Sequence, residues 1–110
     1  CLPMSLQELS PAEWSALRAR PDRPRLIDVR EPWEFNLVHL PEAENVPMGD
    51  IYSLTAGYDK SADYVIICHH GVRSGSVCNL LMAFGYKRVR NFAGGLDAWS
   101  RMVDPSVARY

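Results

Sequence analysis

The sequence predicts an α/β fold, a parallel sheet of about five strands with helices on both faces. Three observations lead there. Short β-branched runs at residues 25–29, 64–68 and 89–92 are separated by stretches of helical periodicity. The run Tyr64-Val65-Ile66-Ile67-Cys68 is apolar without alternation, as expected of a central strand covered on both faces. Strands that alternate with helices need crossover connections, which set neighbours parallel and layer the helices against the sheet.

Each element has its own local reason. Ser10-Pro11-Ala12-Glu13-Trp14 reads as a helix start, with Ser10 as N-cap, Pro11 in the first turn and Glu13 completing a capping box. Leu9 and Trp14 are placed to form a hydrophobic staple. Arg25-Leu26-Ile27-Asp28-Val29 follows a proline-rich turn and is short enough to favour a strand. Pro32 then opens a short helix over residues 32–37. Between residues 41 and 63 the pattern is weaker, with a brief strand at Asn45-Val46 and a helical turn over residues 50–55. After Gly71, the positions of Val77, Leu80, Leu81 and Phe84 mark one face of a helix ending at Gly85. Val89-Arg90-Asn91-Phe92 is the last strand, and Leu96, Trp99 and Val103 share one side of a closing helix after Gly94-Gly95. Trp14, Trp99 and Phe84 are expected to be packing residues.

With 110 residues, 47% hydrophobic and 23% charged, the chain is expected to form one domain over residues 1–110. Twelve basic against 13 acidic residues leave a net charge of −1, with no excess that would direct the chain to nucleic acid or to an anionic membrane. No apolar stretch has the length of a membrane span, and no basic segment followed by an apolar one opens the chain, so neither export nor anchoring is expected. The three cysteines Cys1, Cys68 and Cys78 cannot all pair within the chain, which suits a reducing, cytoplasmic compartment. Cys1 is assigned no role.

Cys68 is the candidate nucleophile. It ends the central strand of an open parallel sheet, where ligands bind beyond the carboxyl ends of strands. The helix that follows turns its first free N–H groups and the positive end of its dipole towards the loop Cys68-His69-His70-Gly71-Val72-Arg73. Helix N-termini and nearby cations favour the thiolate, which is the nucleophilic form. Gly71 lets the loop curl closely, so that successive amides form a nest around one sulfur. Arg73 adds charge and donors, and is expected to assist anionic substrates.

The loop Cys68-x-x-Gly71-x-Arg73-Ser74 resembles the active-site loop of rhodanese domains, the single-domain sulfurtransferases. Asp28-Val29-Arg30-Glu31-x-x-Glu34-Phe35 is similar to that family's first signature, and His39-Leu40-Pro41-x-Ala43-x-Asn45-Val46-Pro47 to its second. Gly94-Gly95-x-x-x-Trp99 is similar to its C-terminal one. The family commonly has glycine where this chain has Val38 and Glu42. The resemblance, over roughly residues 5–103, implies a two-step transfer with no metal or organic cofactor. The Cys68 thiolate takes the outer sulfur of a donor, holds it as a persulfide, and passes it to an acceptor, cyanide or a thiol. Thiosulfate, mercaptopyruvate, a small persulfide or a protein persulfide all suit that scheme as donors.

Other chemistries fit these residues less well. Cysteine-dependent phosphatases use five residues between cysteine and arginine to surround a phosphate; here there are four, followed by Ser74. His69 and His70 beside Cys68 lack the further ligands of a tetrahedral metal site, and are read as the rim of the pocket, where a protonated ring attracts an anionic donor. Cys78 is read as a small core residue rather than a resolving thiol. Asp28 and Ser74 are expected to support the loop, Asp28 by tying down its backbone amides, and Arg30 and Glu34 to form structural ion pairs or to be exposed. A rhodanese fold acting only as a binding or regulatory module is the competing class, and it is associated with loss of the loop cysteine.

Overall fold

A computed structural model describes residues 7–110, the Leu54 side chain excepted, so Cys1 lies outside the described residues. The chain runs β1 (Gln7–Leu9), α1 (Pro11–Leu17), β2 (Arg25–Asp28), α2 (Pro32–Leu37) and β3 (Ala43–Asn45). A 3-10 turn (Met48–Asp50) then leads into α3 (Ile51–Leu54), β4 (Asp63–Ile67), α4 (Val72–Ala83), β5 (Arg88–Phe92) and α5 (Gly95–Met102). The sheet has five strands in the order β1-β5-β4-β2-β3, with every neighbouring pair parallel. β4 is therefore central, as its unbroken apolar character predicts.

Alternation along β4 builds two cores. Tyr64, Ile66 and Cys68 point to one side and join Ile27, Val29, Ile51, Val77, Cys78 and Leu81, so α3 and α4 cover that face. Val65 and Ile67 point to the other and meet Leu9, Trp14, Leu26, Phe92, Leu96 and Trp99 under α1 and α5. Trp14 and Trp99 are fully buried, and Leu9 shares a core with Trp14 at the start of α1. The capping box at Ser10 is present, with the Ser10 hydroxyl accepting from the Glu13 amide at 3.1 Å and the Glu13 carboxylate from the Ser10 amide at 3.0 Å.

Two local features differ from the sequence expectations. β1 was not anticipated, because three residues, two of them exposed, carry no period to read; pairing of Gln7, Glu8 and Leu9 with Arg90, Asn91 and Phe92 creates it. Phe84 is exposed and lies against Tyr52 at 4.8 Å between ring centroids, while α4 buries Ser74, Gly75, Val77, Cys78 and Leu81. Hydrophobicity alone places the inward stripe part of a turn too far round, because the helix has to present Ser74 to the loop. Val38 and Glu42 also find good local roles. Val38 is extended (φ −162°), a conformation open to any residue, and its carbonyl accepts from Arg30 at 2.7 Å. Glu42 accepts two bonds from Arg18 and one from Trp14 Nε1, each at 2.9 Å, which fixes α1 to the segment before β3.

The close approach of α5 to the loop after β4 depends on Gly95. Its φ is +64°, and an added Cβ would lie 2.6 Å from the His69 carbonyl and closer still to that of Cys68. Gly95→Ala should therefore cost at least ~2 kcal/mol in urea unfolding, through both left-handed strain and the clash. Gly49→Ala, with nothing within 4 Å of the new Cβ, is the control and should change stability little. Equal midpoints for the two variants would contradict this account of α5.

Candidate active site

Cys68 follows the last residue of β4 and is only 1% exposed. Its Sγ accepts from the Gly71 amide at 3.0 Å and the Ser74 amide at 3.4 Å, and the Ser74 hydroxyl lies 3.2 Å from it. Gly71, at φ +94°, caps the start of α4 in the left-handed region, and this turns the first amides of a twelve-residue helix back onto the sulfur. A side chain there would meet the Gly94 backbone at 3.2 Å.

The loop is braced from both sides. Leu96 and Asp97 at the start of α5 donate their amides to the Cys68 and His69 carbonyls at 2.8 and 3.0 Å. From β5, the Asn91 amide nitrogen donates to the Gly71 carbonyl at 3.0 Å and to Glu8 at 3.3 Å, and its oxygen accepts from the Ser74 hydroxyl. Asn91 was missed in the sequence. Its only signal there is a polar residue in a short strand that proves to be buried, where an unpaired amide would be costly.

Arg73 does not stand free beside the sulfur. Its two terminal nitrogens meet Glu34 of α2 at 2.7 and 2.9 Å, a bidentate pair. Glu34, expected as a structural ion pair or an exposed residue, is thus a pair that reaches the loop. It is 4% exposed and also accepts from the Tyr110 hydroxyl at 2.8 Å and the Glu31 amide at 3.1 Å. The Arg73 guanidinium, against the opposing effect of burial, holds the Glu34 carboxyl at about 2, helped by Tyr110 and Glu31.

Asp28 requires a correction. Its carboxylate binds the Arg30 amide and side chain, at 2.6 to 3.1 Å, instead of the loop amides, because Arg30 from the same strand end is buried against it. Arg30 passes the connection on to the Tyr110 hydroxyl at 2.8 Å, and Tyr110 to Glu34. Asn45 secures the same corner by donating to the Asp28 and Arg30 carbonyls, both at 3.0 Å. Asp28 therefore reaches Arg73 indirectly, through Arg30, Tyr110 and Glu34.

His69 is stacked between two rings, Tyr110 at 3.9 Å and 6° and His70 at 3.9 Å and 33°. Burial, then the neighbouring His70, lowers its pKa, which disfavours the protonated ring that the sequence suggested for the rim. His69, His70 and Asp97 bring one ligand atom each to within 4.8 Å of one another. Both Asp97 oxygens, however, already accept from Arg101 and Arg109 at 2.9 Å, and a metal would have to displace these cations. Val72 is 76% exposed at the mouth of the loop. Cys78 is buried in the core beneath, and burial, with Glu8 and Cys68 adding to it, pushes its thiol up to about 12.

The rhodanese-like domain family matches residues 10–102. The chain belongs to this family. A rhodanese-like protein from Staphylococcus aureus has the same fold, with a TM-score of 0.81 at 27% identity, covering 96% of this chain and 99% of that one. A protein named putative sulfurtransferase YtwF from Bacillus subtilis is 37% identical over 102 residues, 93% of this chain and 98% of its own. One named sulfurtransferase from Allochromatium vinosum is 41% identical over 83 residues, 76% of this chain and 78% of its own. Other relatives are longer: this rhodanese-like domain spans 26% of the adenylyltransferase and sulfurtransferase uba4 of Ogataea parapolymorpha, at 32% identity over 94% of this chain.

The Glu34–Arg73 pair makes a pH-dependent contribution to stability. Folded Glu34 titrates at about 2 against an ordinary 4.5, so its contribution is complete above that ordinary value and is lost as pH falls through the interval. Glu34→Gln should therefore be less stable than the parent at neutral pH, and the gap in urea midpoints should narrow as pH drops from about 4.5 towards 2. A gap that stays constant across that interval would show that the pair does not carry the effect.

Proposed function

We propose that this rhodanese-like domain is a sulfurtransferase and that Cys68 carries the transferred sulfur. The observation that supports this best is the convergence of two amides on Cys68 Sγ at 3.0 and 3.4 Å, with the Ser74 hydroxyl 3.2 Å away. Donors fixed in this way favour negative charge on sulfur without reorganisation during the reaction. In the first step the Cys68 thiolate attacks the outer sulfur of a donor such as thiosulfate or a persulfide. A new S–S bond forms, the donor's S–S bond breaks, and sulfite or a thiolate leaves with the bonding pair. In the second step a thiol or cyanide attacks that outer sulfur, and Cys68 departs as thiolate. The amides that hold the thiolate also suit the persulfide anion, so one loop serves both states. No cofactor enters this scheme, and a thiol carried by another protein fits it as well as a small one.

Among the described residues, the free cysteines Cys68 and Cys78 accord with the reducing, cytoplasmic setting that we propose for this chemistry. A binding or regulatory module is the weaker reading, since such a module has no need for a cysteine ringed by donors. A phosphatase is weaker again, because the four-residue interval before Arg73 is short for a tetrahedral oxyanion and Arg73 is already engaged by Glu34.

Incubation with sulfur donors followed by intact mass measurement tests the proposal. The parent protein should gain one sulfur on Cys68 and lose it to a thiol. Cys68→Ser should neither gain nor transfer sulfur, because a hydroxyl lacks thiolate character at neutral pH. Cys78→Ala should still transfer, with a stability cost of about 1–2 kcal/mol for the small cavity. Sulfur carried by Cys78 and transferred at the parent rate in Cys68→Ser would overturn the assignment.

A further inference from the structure

We infer that Glu34 is a specificity-determining residue, which by neutralising Arg73 turns the site away from oxyanionic donors such as thiosulfate and towards organic persulfides. The inference rests on the sulfurtransferase reading and concerns which donor that reaction takes.

The charges around the loop support it. Thiosulfate is a dianion, and its approach to a thiolate needs a cation that is not already committed. Arg73 is the loop's own cation, and Glu34 covers both of its terminal nitrogens. Arg30 is fully buried and directs its nitrogens to Asp28, Tyr110 and the Val38 and Glu34 carbonyls. Burial disfavours a protonated His69. Arg101 and Arg109 both direct their Nε to the carboxylate of Asp97. Glu34 is itself held in place by Tyr110 and the Glu31 amide, so an incoming anion cannot easily take its position.

The mouth of the site has the opposite character. Trp33, 64% exposed, meets Tyr110 edge-on at 6.3 Å; Tyr110 stacks on His69, and His69 on His70. This row of rings, with exposed Val72 on the loop, offers an organic group apolar and aromatic contact that a sulfonate would not use. The persulfide reaction also brings less charge together. R–S–SH meets the Cys68 thiolate, the sulfane sulfur bonds to Sγ, and the donor's S–S bond breaks. R–S⁻ leaves with the electron pair and takes up the proton of the new persulfide, giving R–SH and the Cys68 persulfide anion held by the Gly71 and Ser74 amides.

Single-turnover loading of Cys68, followed by intact mass with thiosulfate and with cysteine persulfide, tests the inference on the full chain. The parent should load faster from cysteine persulfide. Glu34→Gln, which frees Arg73, should raise the ratio of the thiosulfate to the persulfide rate constant about tenfold. Glu44→Gln removes the same charge from the Arg25 pair, at the amino end of β2, and should keep the parent ratio. Faster loading of the parent from thiosulfate would overturn the inference without any variant, and so would an unchanged ratio in folded Glu34→Gln. In both cases sulfur still reaches Cys68 and the sulfurtransferase reading stands. Loading from neither donor would remove that reading, and the inference with it.

Discussion

A sulfur that bears negative charge inside a protein needs its donors in place beforehand, and here the Gly71 and Ser74 amides provide them. Much of the surrounding architecture follows from that requirement. β4 must be central, so that its end opens at a junction flanked by strands on both sides. α4 must begin at once, with Gly71 in a left-handed conformation that turns the helix amides inward. Gly95 must be a glycine, because α5 fixes the Cys68 and His69 carbonyls from a distance that admits no side chain. Asn91 must be polar, because it occupies the Gly71 carbonyl and the Ser74 hydroxyl together.

A second constraint comes from buried charge. Asp28 and Arg30 are almost wholly inaccessible, and removing either would leave an uncompensated ion at a cost of about 3–5 kcal/mol. The structure continues this pair through Tyr110 to Glu34 and Arg73, so that every charge in the chain of contacts has a partner of opposite sign. The first family signature, Asp28 to Glu34, and the loop arginine thereby become one network, although 39 residues separate Glu34 from Arg73.

Much of this was legible in the sequence, for physical reasons that differ by residue. The capping box at Ser10 and the strand at β4 depend on local rules, and both appear where the sequence places them. Cys68, Gly71 and Ser74 could be read because strand, glycine and helix are contiguous there. Partners that act across the fold were not readable. Tyr110 lies 80 residues from Arg30, and Asn91 lies 17 from Ser74 on a neighbouring strand, so no spacing rule connects them. Asp28 shows the limit most clearly: its position at a strand end was correct, but its partner was Arg30, two residues away, instead of the loop. Phe84 was misread because periodicity counts apolar residues, and α4 turns a serine inward instead.

The division between dipoles and formal charges explains how one small site can hold a negative sulfur and still release its products. Amide dipoles act over short distances, so those on Cys68 Sγ serve the atom they touch and little beyond it. An uncommitted guanidinium would act over a longer range, and would retain an anionic leaving group as firmly as it attracted the donor. Pairing Arg73 with Glu34 keeps the arginine as a brace for the loop while cancelling most of its reach. The transferred sulfur is then held by geometry, and the departing group meets an aromatic and largely neutral rim. On the reading proposed for Glu34, the selectivity of the site depends less on the residues that touch sulfur than on the carboxylate that occupies the loop arginine.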